Sequence, residues 1–336
     1  AWTLLPIVNE FSGKDLQMFN NPSFWILLVS IMLFVALLAG SYPAFFLSAF
    51  KPAETLKGNF RSSGRGILLR KGLVIFQFSI SIMLIAGTLV IMRHLQYLRN
   101  KELGFNKEQV LTITGAPRTL KDQVLNISGV KAASFSNRVP GLSVGGRTID
   151  NGWSADDQQI VLGQLAVDHD FVDLYGLELV AGRNFSEDIP SDVNEAFIVN
   201  ESALERLQIK RAEEAIGHKL WLDEWGGKKG TIIGVLKDLH FIGANSGIER
   251  FSMFILPGGA RFLSLKIDSD DLHGVVDQIE SLYRSAVPGR PFEYSFLDQA
   301  FDRQYQAEDR FMTIFSCFAM VAILIGCLGL YGLAMF

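Results

Sequence analysis

Cysteine is almost absent from this chain of 336 residues: there are two, Cys317 and Cys327, in one apolar run near its end. That excludes a disulfide framework and a cysteine-based metal site for everything upstream, and both read as small residues of an apolar helix. Histidine is sparse as well. His94, His169, His218, His240 and His273 are scattered, and none has HExxH or other zinc spacing. Asp168-His169-Asp170 offers ligand atoms, but reads as the cap of a helix beginning there. No Lys is followed by Ser or Thr, so the loop that holds nucleotide phosphates and magnesium is missing. Gly226-Gly227-Lys228-Lys229-Gly230-Thr231 resembles it in composition only and reads as a hairpin turn. If ATP is used, another chain binds it, and no cofactor site is expected in this one. A basic face is missing too, which argues against a nucleic-acid partner.

Two further absences bear on the chain's ends. Nothing at the start has the basic then short apolar pattern of a signal peptide. The chain begins at Ala1 and stops at Phe336 inside an apolar run, so it is expected to be an internal piece of a longer membrane protein. One motif invites a catalytic reading: Gly141-Leu142-Ser143-Val144-Gly145 matches the G-x-S-x-G of serine hydrolases. That motif works on a sharp strand-to-helix turn. Here Pro140 precedes it and Gly146-Arg147-Thr148-Ile149 follows, which is no helix start, so Ser143 is not expected to be a nucleophile.

What the chain has in excess is apolar length. Hydrophobic residues make up 49%, with 26 Phe, and they gather in three uncharged runs, Phe24–Phe50, Gly72–Met92 and Phe311–Phe336. Each is long enough to span a bilayer; Gly72–Met92 as a helix rises roughly 30 Å. Leu47–Lys71 carries Lys51, Lys57, Arg61, Arg65, Arg70 and Lys71 against Glu54 alone, the mark of a short loop held in the cytoplasm. Such a loop can also touch anionic membrane lipid. The long domain beyond Arg93 is net acidic and lies on the other side.

The pattern predicts eight segments. Residues 1–23 form an outer loop. Residues 24–46 cross the membrane, ended or kinked by Pro43, and 47–71 are the basic linker, where Gly58, Gly64 and Gly66 break any long helix. Residues 72–92 cross outward and continue as a projecting helix over 93–104, with Gly104 as terminator. Residues 105–296 form the outer domain. Residues 297–312 project as a second helix, running without Gly or Pro into the last span, 313–336. Leu95 and Leu98 on the first projection, and Phe301 and Tyr305 on the second, are the expected contacts of a two-helix stalk. Within the membrane, Gln77, Ser79 and Ser81 are expected to face helix partners rather than a transport path. Ala322, Gly326 and Gly329, followed by Gly332, offer the small surface that lets backbones approach.

The outer domain reads as α+β. Gln109–Thr114, Thr119–Ile127 and Val130–Ser136 make one β-α-β unit; Phe262–Ile267, Asp271–Ala286 and Phe292–Phe296 make another. Two such units split by an insert, from about 140 to 260, are an interrupted ferredoxin-like fold. The insert is mostly β, with strands expected at Ile160–Val167, Glu195–Val199, Lys219–Leu222 and Thr231–Leu236, and short helices at Asp168–Tyr175 and Glu201–Leu207.

These phrases also resemble a family. KPAETLKGNFRSSGRGILLRKGLVIFQFSIS is similar to the junction between the halves of MacB/FtsX-type ABC transporter permeases, and GSYPAFFLSAFKP to the span before it. VDHDFVDLYGLELVAGRNFSED, AFIVNESALERL, AIGHKL and IIGVLKDLHF resemble that family's periplasmic core domain, and SCFAMVAILIGCLGLYGLAMF the span after it. The resemblance implies a non-catalytic, multi-pass permease of the bacterial inner membrane, its large domain periplasmic. ATP and magnesium would be held by a partner ABC ATPase. A second permease subunit, membrane lipid and a periplasmic or outer-membrane component are the other implied partners. Motion would pass through a helical stalk to the periplasm, for export or extraction of a substrate. The alternative is a membrane-anchored periplasmic sensor or regulator of cell-wall hydrolases.

Overall fold

The computed structural model describes residues 22–48, 64–144, 146–150, 159–222, 228–258 and 260–334. The first loop and most of the basic linker lie outside them. In chain order the helices are α1 (Pro22–Ser48), α2 (Gly64–Asn100), α3 (Thr119–Val124), α4 (Phe171–Tyr175), α5 (Asp192–Glu195), α6 (Glu201–Arg206), α7 (Ala212–Ala215), α8 (Leu272–Ala286), α9 (Leu297–Gln304) and α10 (Gln306–Ala334). The strands are β1 (Val110–Thr114), β2 (Val130–Ser136), β3 (Gly146–Asp150), β4 (Gln159–Val167), β5 (Leu179–Gly182), β6 (Ala196–Asn200), β7 (Lys219–Leu222), β8 (Lys228–Leu236), β9 (Phe251–Ile255), β10 (Phe262–Ile267) and β11 (Tyr294–Phe296). Contacts divide the chain into two compact units, Ala1–Arg93 with Ala307–Phe336, and His94–Gln306.

The described residues of the first unit are helical. Val74–Asn100 and Asp309–Tyr331 are long and apolar enough to cross a membrane, with mean hydropathies of 2.3 and 2.5. Three spans were expected; the third, α1, is a helix of 27 residues that includes the apolar stretch Pro22–Leu37. Pro43 does not end α1, which continues to Ser48. Nor do Gly64 and Gly66 keep the linker irregular, since α2 starts at Gly64 and takes in both. An uninterrupted apolar run outweighs the cost of glycine near a helix start, about 1 kcal/mol each.

The second unit holds the split fold. Its strands run β11-β1-β10-β2, each antiparallel to the next. Thus β1-α3-β2 and β10-α8-β11 each place parallel strands with one strand of the other unit between them, the ferredoxin-like order. Helix α8 starts where the Asp271 carboxylate accepts from Gly274 N–H at 2.9 Å. It buries Val275, Val276, Ile279 and Tyr283 with α3's Leu120 and Val124 over Leu111, Ile113, Leu263 and Leu265. Here α3 ends at Val124 and β11 begins at Tyr294, each short of the sequence expectation.

The insert closes on itself. Pairing runs β4-β3-β7-β8-β6-β9, and β9 returns to β4 through a parallel register from Gly163↔Phe251 to Val167↔Ile255. Six strands therefore form a ring, with β5 added along β8. Its inner cluster takes alternate residues, Leu162 and Ala166, Phe197 and Val199, Leu220 and Leu222, with Ile232 and Phe254. The outward faces of β4, β6 and β9 join a second cluster with α4, Phe241, Leu297 and Phe301. A single pair, Ser136↔Val167, joins β2 to β4 and so links the two sheets.

Candidate functional site

In the helical unit, α2 and α10 pack antiparallel. The Ser81 hydroxyl lies 3.3 Å from the Ala322 carbonyl as well as 3.0 Å from its own Gln77 carbonyl. A Cβ on Gly329 would stand 3.2 Å from Gln77 Oε1, and one on Gly326 would stand 3.8 Å from the Phe78 ring. As the α2 number rises, its α10 partner falls, so the chain leaves by one helix and returns by the other. Gln77, Ser81, Ala322, Gly326 and Gly329 are thus brought together. Ser79 is not among them: it is exposed and donates to the Ile75 carbonyl of its own helix. The surroundings of Gly332 lie outside what is described.

One feature escaped the sequence reading. Among the less exposed positions of α2, seven recur at alternating steps of four and three, Gln77, Ser81, Leu84, Thr88, Ile91, Leu95 and Leu98, with Val74, Phe78 and Ile85 beside them. That is a heptad seam. Nearly every neighbour is apolar as well, so composition conceals the period.

The expected stalk contacts belong to the core of the second unit. Leu95 is 4% exposed, Phe301 0% and Tyr305 3%. Leu98 packs against the cluster that contains Leu297, Phe301, Leu103 and Phe241. Two expectations are corrected. The first projecting helix stops at Asn100, four residues before Gly104, and the second breaks at Tyr305, where α9 gives way to α10. Gly104 still ends something: its φ is +83°, and a Cβ there would lie 2.9 Å from Leu239 Cβ, so only glycine fits the turn.

Asp168, His169 and Asp170 do not cap a helix. Asp170 makes no side-chain cap on α4. Both carboxylates instead hold Lys121 of α3, Asp168 at 2.7 Å. Asp168 also accepts from Ser134 Oγ and from Phe135 N–H at 2.8 Å on β2. Burial alone would lower the Lys121 pKa, but Asp168 and Asp170 together hold it above the usual lysine value. His169 Nδ1 lies 3.6 Å from Glu187.

Two further charged groups are enclosed. Asp192 accepts both guanidinium nitrogens of Arg183, at 2.6 and 2.7 Å, and Ser186 N–H at 3.0 Å. The Arg183 bonds hold its carboxyl below the usual range, against the pull of burial. Lys228, the lysine of the loop that mimics a nucleotide site, lies in β8. Its ammonium donates to the Val193 and Ile255 carbonyls at 2.8 and 2.9 Å, over the rings of Phe197 and Phe254. Burial pushes it down to about 8. It thus closes a rim of the ring; Gly226 and Gly227 lie outside the described residues. Ser143 is tied down: its hydroxyl donates to Glu249 at 2.8 Å, and strand β3 follows within three residues rather than a helix.

Among the described residues no group of three His, Cys, Asp or Glu could hold a metal. Within the second unit, the chain just beyond α2, α9 and the ring share one buried cluster.

The model of the MacB-like periplasmic core domain matches residues 72–282. The periplasmic region of MacB from Actinobacillus actinomycetemcomitans is similar at 16% identity and a TM-score of 0.43, covering 57% of this chain and 91% of that one. The extracellular domain of the noncanonic ABC-type transporter YknZ from Gram-positive bacteria is similar at 15% identity and a TM-score of 0.40, covering 55% and 98%. A comparison with curated proteins gave no match.

Proposed function

The chain belongs to the MacB-like periplasmic core domain family, and from that premise we propose that it couples ATP hydrolysis on a partner ATPase to motion of its periplasmic domain. It is the periplasmic core of an ABC-type transporter permease together with helices long and apolar enough to cross a membrane. In this reading it is a multi-pass protein of the bacterial inner membrane, with Lys71 at the cytoplasmic end of α2 and the acidic domain outside. The ATPase carries ATP and magnesium, and a second permease subunit completes the assembly. Substrate is exported or extracted on the periplasmic side rather than through α2 and α10.

One observation carries this reading. Two of the polar residues of α2 that were expected to face helix partners lie against α10: the Ser81 hydroxyl is 3.3 Å from the Ala322 carbonyl, and Gln77 stands beside Gly329. The two helices flank the acidic domain in sequence, an arrangement that fits a lever better than a channel.

The test is reconstitution of the full-length permease with its ABC ATPase in nanodiscs. Spin labels on the exposed Val161 and Ser281 should change separation when nucleotide is trapped by vanadate. A Walker-A lysine substitution in the ATPase should abolish the change. If no ABC ATPase associates, or the labels stay fixed through hydrolysis, the proposal fails and the sensor reading takes its place.

A further inference from the structure

Residues 237–250 run from the end of β8 to the start of β9 without helix or strand, yet Leu239, Phe241, Gly243 and Ala244 among them are buried, and the segment is bonded to four separate parts of the second unit. Leu239, Phe241 and Ala244 are 2%, 1% and 5% exposed. His240 N–H donates to the Leu103 carbonyl at 2.8 Å, just beyond α2, and Leu239 fills the space under Gly104. From the other side Gln304, the last residue of α9, donates its amide to the Ile242 carbonyl at 3.1 Å. The loop that leads into the ring meets the segment too, as Gly141 N–H bonds the Phe241 carbonyl at 2.7 Å.

Both ends of the segment are held on the ring by one side chain. Asn200 closes β6 and is 0% exposed. Its amide donates to Asp238 Oδ1 at 2.7 Å and to the Glu249 carbonyl at 3.0 Å, while its oxygen accepts from Phe251 N–H at 3.0 Å. Asp238 in turn accepts Ser202 N–H at 2.8 Å, and the Ser202 hydroxyl, at the start of α6. A displaced segment therefore carries the ring with it, because its two ends share an anchor whose every polar atom is engaged within a buried site.

We propose that residues 237–250 are the coupling segment by which α9 and the turn after α2 set the position of the ring, with Gln304 and Asn200 as the two positioning residues. The proposal rests on the mechanical reading above and deepens it. Gln304 grips the segment from the helix side and Asn200 from the ring side. A shift of α9 is passed to the ring through the Ile242 carbonyl, beside the direct packing of Leu297 and Phe301 on the ring's outward face and the Ser136–Val167 pair.

The test uses the full-length permease with its ATPase in nanodiscs, labelled at Val161→Cys and Ser281→Cys after Cys317→Ala and Cys327→Ala. Gln304→Ala and Gln304→Glu both lose the amide donor, and Glu keeps the length. Each should retain the ATPase rate and the melting temperature of the parent while its vanadate-trapped distance shift falls by at least half. Asn200→Ala should do the same, and is judged only if its melting curve stays cooperative; Gln304 decides otherwise. A full distance shift in both Gln304 variants overturns the proposal. Absence of any shift in the parent overturns the mechanical reading itself, and the proposal with it.

Discussion

Removing Lys121 should loosen the tie between α3 and the β4–α4 turn by a calculable amount. In Lys121→Met the ammonium that bridges Asp168 and Asp170 is replaced by an apolar end of similar length. Breaking a buried pair by removing one partner costs about 3–5 kcal/mol. Two features reduce that here. Asp170 is 49% exposed and can turn to water, and Asp168 keeps Ser134 Oγ and Phe135 N–H. The expected loss is about 2 kcal/mol, of the order of one buried charged group losing one good partner. For a domain of this size that lowers Tm by about 4–8 °C. The assay is urea unfolding of the compact unit His94–Gln306, followed by circular dichroism at neutral pH, with an unchanged m-value as the check on two-state behaviour. Lys131→Met is the control. Its ion pair with Asp268 spans 3.6 Å between groups 62% and 70% exposed, and should matter by less than about 0.5 kcal/mol. The folded-state value of Lys121 is raised, so its contribution is fully present below the ordinary lysine value of 10.5 and is lost as pH rises through the folded one. The gap between parent and variant should be flat through neutral pH and shrink only in strong alkali. Equal effects of Lys121→Met and Lys131→Met would refute the reasoning.

Four other outcomes follow from the same geometry. Phe301→Ala should destabilise His94–Gln306 by about 3–5 kcal/mol, whereas Tyr97→Ala, at a position 63% exposed, should stay within about 0.5 kcal/mol, both read by urea titration. Gly182→Ala should cost at least about 2 kcal/mol in the same assay, because φ is +76° and the new Cβ would lie 2.1 Å from the Ile233 carbonyl oxygen. Gly329→Leu should separate α2 from α10, measured as loss of a disulfide engineered between Phe78→Cys and Gly326→Cys; an undiminished cross-link would count against the packing. Lys228 has a folded value near 8, below the 10.5 of a free lysine. Its burial therefore opposes folding most below pH 8 and less as pH climbs toward 10.5. The stability of Lys228→Met relative to the parent should accordingly decline over that range.

The ferredoxin-like half was legible because its strands alternate and its helices carry an apolar stripe. Phe262–Ile267 and Val130–Ser136 match their expected bounds, and Asp271 marks the start of α8. Three strands of the insert were not legible. Phe251–Ile255 is buried at every position, so it shows no period of two, and Leu179–Gly182 and Gly146–Asp150 are short and rich in small or polar residues. Ring closure depends on β4 pairing with β9, far apart in sequence, and no local pattern records that. The Asp168–Asp170 pair looked like a cap because capping is a local role; its partner Lys121 is brought in by the fold. Phe301 and Tyr305 read as part of an apolar face in the sequence, which could not say what surface would cover it. A cross-link between Leu98 and Phe301 would therefore sit in the domain core, and would report on core packing as much as on a stalk.

The single backbone pair between β2 and β4 has a consequence of its own. Six ring strands satisfy one another, and four sheet strands do the same, so nearly all the ladder bonds lie within one half or the other. The line between them acts like the perforation in a sheet of paper. If it parts, each side keeps its own ladder, and what then holds the halves is side-chain contact, the cluster around Phe301 and the Lys121–Asp168 pair.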